Sequence, residues 1–140
     1  MFGKILLAVD GSENALHAAK MAGELARTMQ SQNLRIVTAF NAIPSYLGEP
    51  HVQAAIDARL KEYNETLRVV LEAVGEVPSE IHTELIEGSP AEAIIEVAQT
   101  RSVDVIVMGS RGMGTLGGLL LGSNSQKVVA HAPCPVLIVR

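Results

Sequence analysis

Six of the 12 glycines in the chain fall between Gly109 and Gly122, and Ser123 follows the last of them. The apolar run Val103–Met108 before this segment is typical of a buried strand. Ser123 is predicted to cap a short helix that reaches about His131. A glycine loop between a strand and a helix N-terminus can hold phosphate, because backbone N–H groups approach the anion with no Cβ in the way. The segment therefore predicts a phosphate site, although some glycine-rich loops are merely flexible.

Charge is distributed unevenly along the chain. The net charge is −4, yet all 15 acidic side chains precede residue 105, and the last quarter carries only the basic residues Arg111, Lys127 and Arg140. This local positive charge agrees with a small anion site, and chance beside an apolar final strand would also produce it. The acidic total argues against general nucleic-acid binding, which depends on many Lys and Arg contacts to phosphate.

Strand and helix patterns alternate along the whole sequence. Five strands are predicted, at Lys4–Asp10, Leu34–Phe40, Ile81–Ile86, Val103–Met108 and Val136–Val139. Helices are predicted from Ser12 to Met29, from about His51 to Val74, from Pro90 to about Thr100, and from Ser123 to about His131. This alternation predicts one α/β domain over residues 1–140, with a five-stranded, mainly parallel, Rossmann-like sheet and helices on both faces.

Local signals mark several boundaries between these elements. Ser89 and Glu92 form a capping-box pattern around Pro90, which predicts the start of the third helix. Gly75 is a predicted helix stop. The segment Asn41–Pro50 contains proline and glycine and is long enough to cover a site or to meet a partner.

Two familiar phosphate motifs match the glycine segment only superficially. The segment Gly112–Gly117 fits G-x-G-x-x-G, but it follows the fourth strand and no acidic residue comes after it to hold a ribose hydroxyl. A Walker-like spacing ends at Ser123, but Asn124 stands where that motif must continue. Neither a Rossmann dinucleotide site nor a P-loop is expected.

A third pattern fits better. The spacing Gly109-x2-Gly112-x9-Gly122-Ser123 resembles the glycine signature of the ATP-binding branch of the universal stress protein family. The segments ILLAVDGS, VIVMGSRG and VVAHAPCPVLIV resemble that family in the same order, so the likeness spans essentially the whole chain. RIVTAFNAI departs from it, because it lacks the His-Val often found at the end of the second strand.

The resemblance implies a nucleotide-binding fold with an ATP site whose Mg²⁺ or Mn²⁺ is bound through the phosphates. Asp10 would face the ribose or the metal. The other implied contacts are Ala8, Val9 and the Phe40 backbone at the adenine, Met108 and Gly109 at the ribose, Arg111 and Gly112 near the ribose and phosphates, and Gly122, Ser123, Asn124 and Ser125 at the triphosphate. Independently, Asp10 and Gly109 end two buried parallel strands, which would border one crevice if those strands are neighbours.

These residues also have plain structural interpretations. Asp10 belongs to an ordinary turn and helix-cap sequence with Gly11 and Ser12. Arg111 would be a solvated loop charge, and Ser123 would cap its helix with or without a ligand.

Histidine and cysteine add no catalytic or metal motif. The four histidines form no i, i+4 pair or HExxH sequence, so they are interpreted as surface or structural residues. Cys134, the single cysteine, excludes an internal disulfide and is interpreted as a packed thiol. A reducing, cytoplasmic setting is expected, with no secretory leader and no run long enough to span a bilayer.

The favoured hypothesis is an ATP-binding regulatory module of the stress response that acts through an unidentified protein partner. Hydrolysis would be slow at most, because no residue is found to orient water and Arg111 is the only candidate charge for the transferred phosphate. A slow ATPase or adenylate-forming enzyme on the same fold is the alternative, and a ligand-free interaction module is a third.

The last strand bears on oligomeric state. Val136, Leu137, Ile138 and Val139 carry no charge, and as the last strand of an open sheet they would form an exposed edge. Members of the family pair through this strand, so the resemblance implies a homodimer.

Overall fold

The computed structural model describes residues 1–10, 13–42, 44–110 and 121–140. Across these residues the strands are β1 (Lys4–Ala8), β2 (Asn33–Phe40), β3 (Glu80–Glu87), β4 (Val105–Gly109) and β5 (Val136–Val139). The helices are α1 (Glu13–Met29), α2 (Glu49–Val74), α3 (Pro90–Thr100) and α4 (Ser123–His131), with a 3₁₀ turn at Ser45–Leu47.

The strands form one sheet in the order β3-β2-β1-β4-β5, and every neighbouring pair is parallel. The chain moves outward from β1 to β2 and β3, then returns to the other side of β1 to add β4 and β5. Ala8 on β1 is the register partner of Met108 on β4, so the strand order reverses between these two strands. The predicted α/β fold is confirmed, and the sheet is entirely parallel.

Alternate residues of β1 pack on opposite faces of the sheet. Ile5 and Leu7 belong to the core beneath α1 and α2, whereas Leu6 and Ala8 belong to the core beneath α3 and α4. All four side chains are buried. Burial on both faces explains why the β1 sequence is a continuous apolar run rather than an alternating one.

Several predicted boundaries are shifted in the structure. β1 ends at Ala8 rather than Asp10, although the Val9 N–H still donates to Val37 O at 3.0 Å. The predicted loop Asn41–Pro50 contains the 3₁₀ turn, and α2 begins at Glu49 with Pro50 in its first turn. Prolines are tolerated there because the first-turn N–H groups have no internal acceptor.

The two predicted helix caps have different outcomes. Ser89 is the N-cap of α3, as predicted, but its side chain makes no capping hydrogen bond. At α4 the predicted cap is wrong, because the N-cap is Gly122 and Ser123 is already the first helical residue. In both places the sequence predicts where the helix begins, whereas the expected side-chain cap does not form.

Close contact between α1 and α2 depends on Gly23. A Cβ at Gly23 would collide with the carbonyl oxygen of Val74, the last residue of α2. Arg27, one turn further along α1, donates from Nη1 to Val74 O at 2.8 Å and to Glu76 O at 3.0 Å. Helix α2 ends at Val74, and Gly75 follows as its C-cap with a φ of 74°.

We expect Gly23→Ala to lower the free energy of unfolding by roughly 1–3 kcal/mol through overpacking, although alanine is the better helix former. Urea denaturation followed by circular dichroism measures the change. Gly3→Ala is the control, because a Cβ there would meet Asp104 Oδ2 at an ordinary 3.7 Å. Equal midpoints for the two variants would contradict the tight helix contact.

Candidate functional site

The carboxyl ends of β1 and β4 lie side by side. Asp10 follows Ala8 by two residues and Gly109 follows Met108 by one, and Ala8 and Met108 are register partners. The sequence predicts one shared crevice if β1 and β4 are neighbouring strands, and the two strands are indeed neighbours. In open parallel sheets, a reversal of strand order is where a crevice forms at the carboxyl ends and ligands bind.

Ser110 connects the end of β5 to the start of α4. It is 5% exposed, its N–H donates to Val139 O at 2.8 Å, and its carbonyl accepts from the Gly122 N–H at 2.8 Å. The N-terminus of α4 is therefore held beside the carboxyl end of β4, although a long segment separates the two in sequence.

The first turn of α4 offers hydrogen-bond donors to an anion. The first internal bond of this turn runs from the Gln126 N–H to Gly122 O at 3.0 Å. The amides of Ser123, Asn124 and Ser125 precede it, and such first-turn amides have no acceptor within an α-helix. Ser123 and Asn124 are exposed, and the turn contains no acidic residue. First-turn amides that lack a helical acceptor and the positive end of the helix dipole together favour a phosphate or carboxylate.

Ser125 makes a contact that its sequence position did not suggest. Its side chain is buried, with 3% exposure, and its hydroxyl donates to Gly109 O at 2.9 Å. The residue that was predicted to lie at the triphosphate thus joins the first turn of α4 to the last residue of β4.

The predicted adenine and ribose contacts on the strands have buried side chains. Ala8 and Met108 pack in the core beneath α3 and α4, and Val9 packs in the core beneath α1 and α2. Because these side chains lie in the cores, it is mainly the backbone groups of these residues that can contact a ligand at the strand ends. Asp10, the next residue after Val9, is exposed at the carboxyl edge of the sheet.

Phe40 ends β2 with its ring against α2. The Arg59 guanidinium carbon lies 5.7 Å from the centre of that ring, within the range of a cation–π contact. Both residues are half-buried. Sequence reasoning missed Arg59, because no spacing rule pairs the end of a strand with the middle of the following long helix.

Asn14 in the first turn of α1 is a second residue that the sequence did not identify. A Cβ built on Gly109 would lie 2.9 Å from the Asn14 Cβ and 3.2 Å from its carbonyl oxygen. The end of β4 therefore packs directly on α1, and the absence of a side chain at Gly109 permits this approach.

Other candidate residues fall outside this region or make structural contacts. Arg111 and Gly112, both predicted site residues, belong to residues 111–120 and lie outside the described residues. Cys134 is half-buried, and this burial raises the pKa of its thiol. The nearby Asp104 carboxylate raises the pKa further, whereas a hydrogen bond with the Ile106 backbone lowers it. His17 lies with Nδ1 3.1 Å from Arg140 O.

Two features are absent from residues 1–10, 13–42, 44–110 and 121–140. No group of three or more His, Cys, Asp or Glu side chains in these ranges converges to hold a metal ion. No helix within them combines the length and apolar character needed to cross a membrane.

Comparisons with known proteins identify a family and similar folds. The universal stress protein family model matches residues 1–140. The chain is similar to a universal stress protein of Thermus aquaticus, at 49% identity over 140 residues and 100% of both chains. The fold is similar to that of a universal stress protein from Lactobacillus plantarum, with a TM-score of 0.86 and 28% identity over 99% of this chain and 98% of that one.

Similar structures with a bound nucleotide are also known. A crystal structure of a universal stress protein in complex with cAMP is similar to this chain, with a TM-score of 0.68 and 28% identity. The match covers 97% of this chain and 95% of that chain.

We expect Gly109→Ala to destabilise the protein by roughly 1–3 kcal/mol, because the new methyl group must displace Asn14 and with it the start of α1. Thermal and urea unfolding measure this loss. Gly3→Ala again serves as control, since its Cβ has room. A Gly109→Ala protein as stable as the control would contradict the close contact between β4 and α1.

Proposed function

The chain belongs to the universal stress protein family, and on this premise we propose that it binds ATP in the crevice between β1 and β4. We further propose that it acts as a nucleotide-dependent regulatory module in the stress response. The observation that carries the proposal is the pairing of β1 with β4, which puts Asp10, Gly109 and the N-terminus of α4 at one edge of the sheet. Support also comes from the relative crystallised with cAMP, which shares its adenine, ribose and phosphate components with ATP.

The proposed phosphate contacts are the free amides of the first turn of α4. These are the amides of Ser123, Asn124 and Ser125, reached past Gly122, which presents no side chain. Gly122 has a φ of −63°, a value that any residue adopts. The backbone dihedral angles therefore do not require glycine there, and we propose that glycine leaves space for the ligand. Arg111 and Gly112 are proposed to complete the contacts to the ribose and phosphates.

The proposed nucleoside contacts come from the strand ends. Met108 and Gly109 would lie against the ribose, and Ala8, Val9 and the Phe40 backbone would border the adenine. Strand-end backbone N–H and C=O groups can read the edge of a purine by hydrogen bonding. A pocket built in this way selects the base by its hydrogen-bond pattern rather than by charge.

Mg²⁺ or Mn²⁺ is proposed to bind with the nucleotide rather than before it. Mg²⁺ commonly uses one or two carboxylates together with substrate phosphates and retains several waters. The exposed carboxylate of Asp10 fits the role of a single protein ligand, or it would accept hydrogen bonds from the ribose hydroxyls. A bound divalent ion would neutralise phosphate charge at the crevice.

The proposed activity is binding and signalling rather than rapid hydrolysis. Every residue assigned above contacts the base, the ribose, the phosphates or the metal, and none is assigned to orient an attacking water. The state of the ligand would then be communicated to a cytoplasmic protein partner.

We also propose a homodimer built on β5. Pro135 O and Val139 O accept hydrogen bonds from the N–H groups of Ile106 on β4 and of Ser110, the residue after β4. Because backbone groups alternate in direction along a strand, the N–H and C=O groups of Val136 and Ile138 point away from β4. The uncharged strand Val136, Leu137, Ile138 and Val139 therefore presents pairing groups at the sheet edge, which a second copy would satisfy.

Calorimetric titration with ATP and magnesium tests the binding proposal, and one saturable site per chain is expected. Denaturing protein purified without added ligand and identifying any released nucleotide by mass gives a second reading. Gly122→Val should weaken ATP binding at least about tenfold, because the side chain would occupy the space of the phosphates. The fold should survive, since the φ of Gly122 is ordinary.

Ser89→Val is the matched control for this substitution. Ser89 is the N-cap of α3, its φ is −65°, and its side chain makes no capping bond. Ser89 and Gly122 therefore both have an extended backbone at the start of a helix, but Ser89 does not border the crevice between β1 and β4. Equal ATP affinity for Gly122→Val and wild type would overturn the assignment of the phosphate site.

Sedimentation at micromolar concentration should show a dimer, and Ile138→Pro should convert it to a monomer. Proline removes the outward N–H of Ile138 while leaving the bonds between β4 and β5 in place. Circular dichroism checks that the variant remains folded. A wild-type monomer, or a folded Ile138→Pro dimer, would contradict pairing through β5.

A further inference from the structure

The hydrogen bond from Ser125 Oγ to Gly109 O crosses from the first turn of α4 to the last residue of β4. We propose that Ser125 is a positioning residue for the nucleotide site: its hydroxyl does not contact phosphate, but fixes the first turn of α4 so that neighbouring amides face the ligand. This inference rests on the proposed ATP-binding function.

The chemistry of the hydroxyl supports a positioning role. A serine hydroxyl has one hydrogen to donate, and here it is donated to Gly109 O at 2.9 Å. The oxygens of ionised phosphates accept hydrogen bonds, so a phosphate needs a donor from the protein. While its bond to Gly109 is intact, the Ser125 hydroxyl has no second hydrogen for a phosphate.

Burial points to the same role. Ser125 is 3% exposed, whereas Ser123 and Asn124, the two residues before it in the same turn, are exposed. The ligand-facing side of the turn therefore belongs to Ser123 and Asn124. Ser125 faces the sheet.

Two hydrogen bonds attach this end of α4 to the end of β4. The Gly122 N–H donates to Ser110 O at 2.8 Å, and Ser125 supplies the second attachment at Gly109. Val128 already packs α4 into the core, and the bond from Ser125 adds a constraint on the direction of the first turn that Gly122 alone does not supply. Donors that are fixed before the ligand arrives do not have to be ordered on binding, and affinity rises accordingly.

Ser31, at the opposite end of the sheet, provides a matched control for Ser125. Ser31 is 1% exposed, and its hydroxyl donates to the backbone oxygen of Phe2 at 2.6 Å. Ser31→Ala therefore removes the same kind of buried bond, from a hydroxyl to a carbonyl, far from the proposed site.

The test compares Ser125→Ala, Ser125→Thr and Ser31→Ala in the full chain. Both alanine variants should lower the thermal midpoint by similar amounts. Ser125→Ala should weaken ATP binding roughly 5- to 10-fold in calorimetry with magnesium, the equivalent of one lost hydrogen bond. Ser31→Ala should bind like the wild type, and Ser125→Thr, which keeps a hydroxyl, should recover most of the affinity.

Amide hydrogen exchange of the nucleotide-free protein separates positioning from direct contact. The Gln126 N–H makes the first internal bond of α4, so it should exchange faster in Ser125→Ala and at the wild-type rate in Ser31→Ala. Weakened ATP binding with unchanged Gln126 exchange would mean that the hydroxyl contacts the ligand directly, and would overturn the proposal. Faster exchange with unchanged affinity would overturn it as well, by making Ser125 merely structural.

Two further outcomes are separable. If Ser125→Ala does not fold, Ser125→Cys, whose thiol is a weaker donor, should show the same pattern with smaller changes, and a wild-type pattern would overturn the proposal. If wild-type protein shows no saturable ATP binding, the proposed function itself fails, and the role of Ser125 in binding fails with it.

Discussion

The parallel pairing of β1 with β4 is the constraint on which the rest of the structure depends. Because β1 has neighbours on both sides, its residues are buried by α1 and α2 on one face and by α3 and α4 on the other. The buried part of this strand, Ile5–Ala8, is therefore entirely apolar, and its charged neighbours Lys4 and Asp10 are exposed at its two ends. The reversal of strand order then brings a second such end alongside, and α4 follows from it with its N-terminus held by Ser110.

The two edge strands of the sheet differ in charge. On β3, Glu84 is mostly buried between Arg35 at 3.5 Å and Arg101 at 3.7 Å, so a charge that points into the protein occupies this edge strand. Such inward charges oppose pairing with another chain, because an added strand would have to accommodate the ion cluster. β5 carries no charge at all. Any association through the sheet is therefore directed to β5, which is also the strand that Ser110 connects to α4.

The sequence predicts the strands well because the burial of β1 and β4 is evident from the local sequence, as a continuous apolar run in each strand. It predicts the helix starts but not the capping groups, because a cap depends on the dihedral angles of one residue, and at α4 that residue is Gly122 rather than Ser123. The Ser125–Gly109 and Arg59–Phe40 contacts leave no local pattern, since each joins elements that only the folded sheet brings together. The α/β fold class was therefore predictable, whereas the strand order and the roles of these side chains follow only from the folded structure.

The two described glycines of the family signature satisfy different requirements. Neither Gly109 nor Gly122 has a positive φ, so backbone freedom does not explain them. At Gly109 the missing side chain makes room for Asn14, a requirement of the fold that exists without any ligand. At Gly122 the φ of −63° is one that any residue adopts, and on the proposed function glycine there would leave space for the phosphates. On that proposal the signature combines a packing constraint at Gly109 with a binding constraint at Gly122.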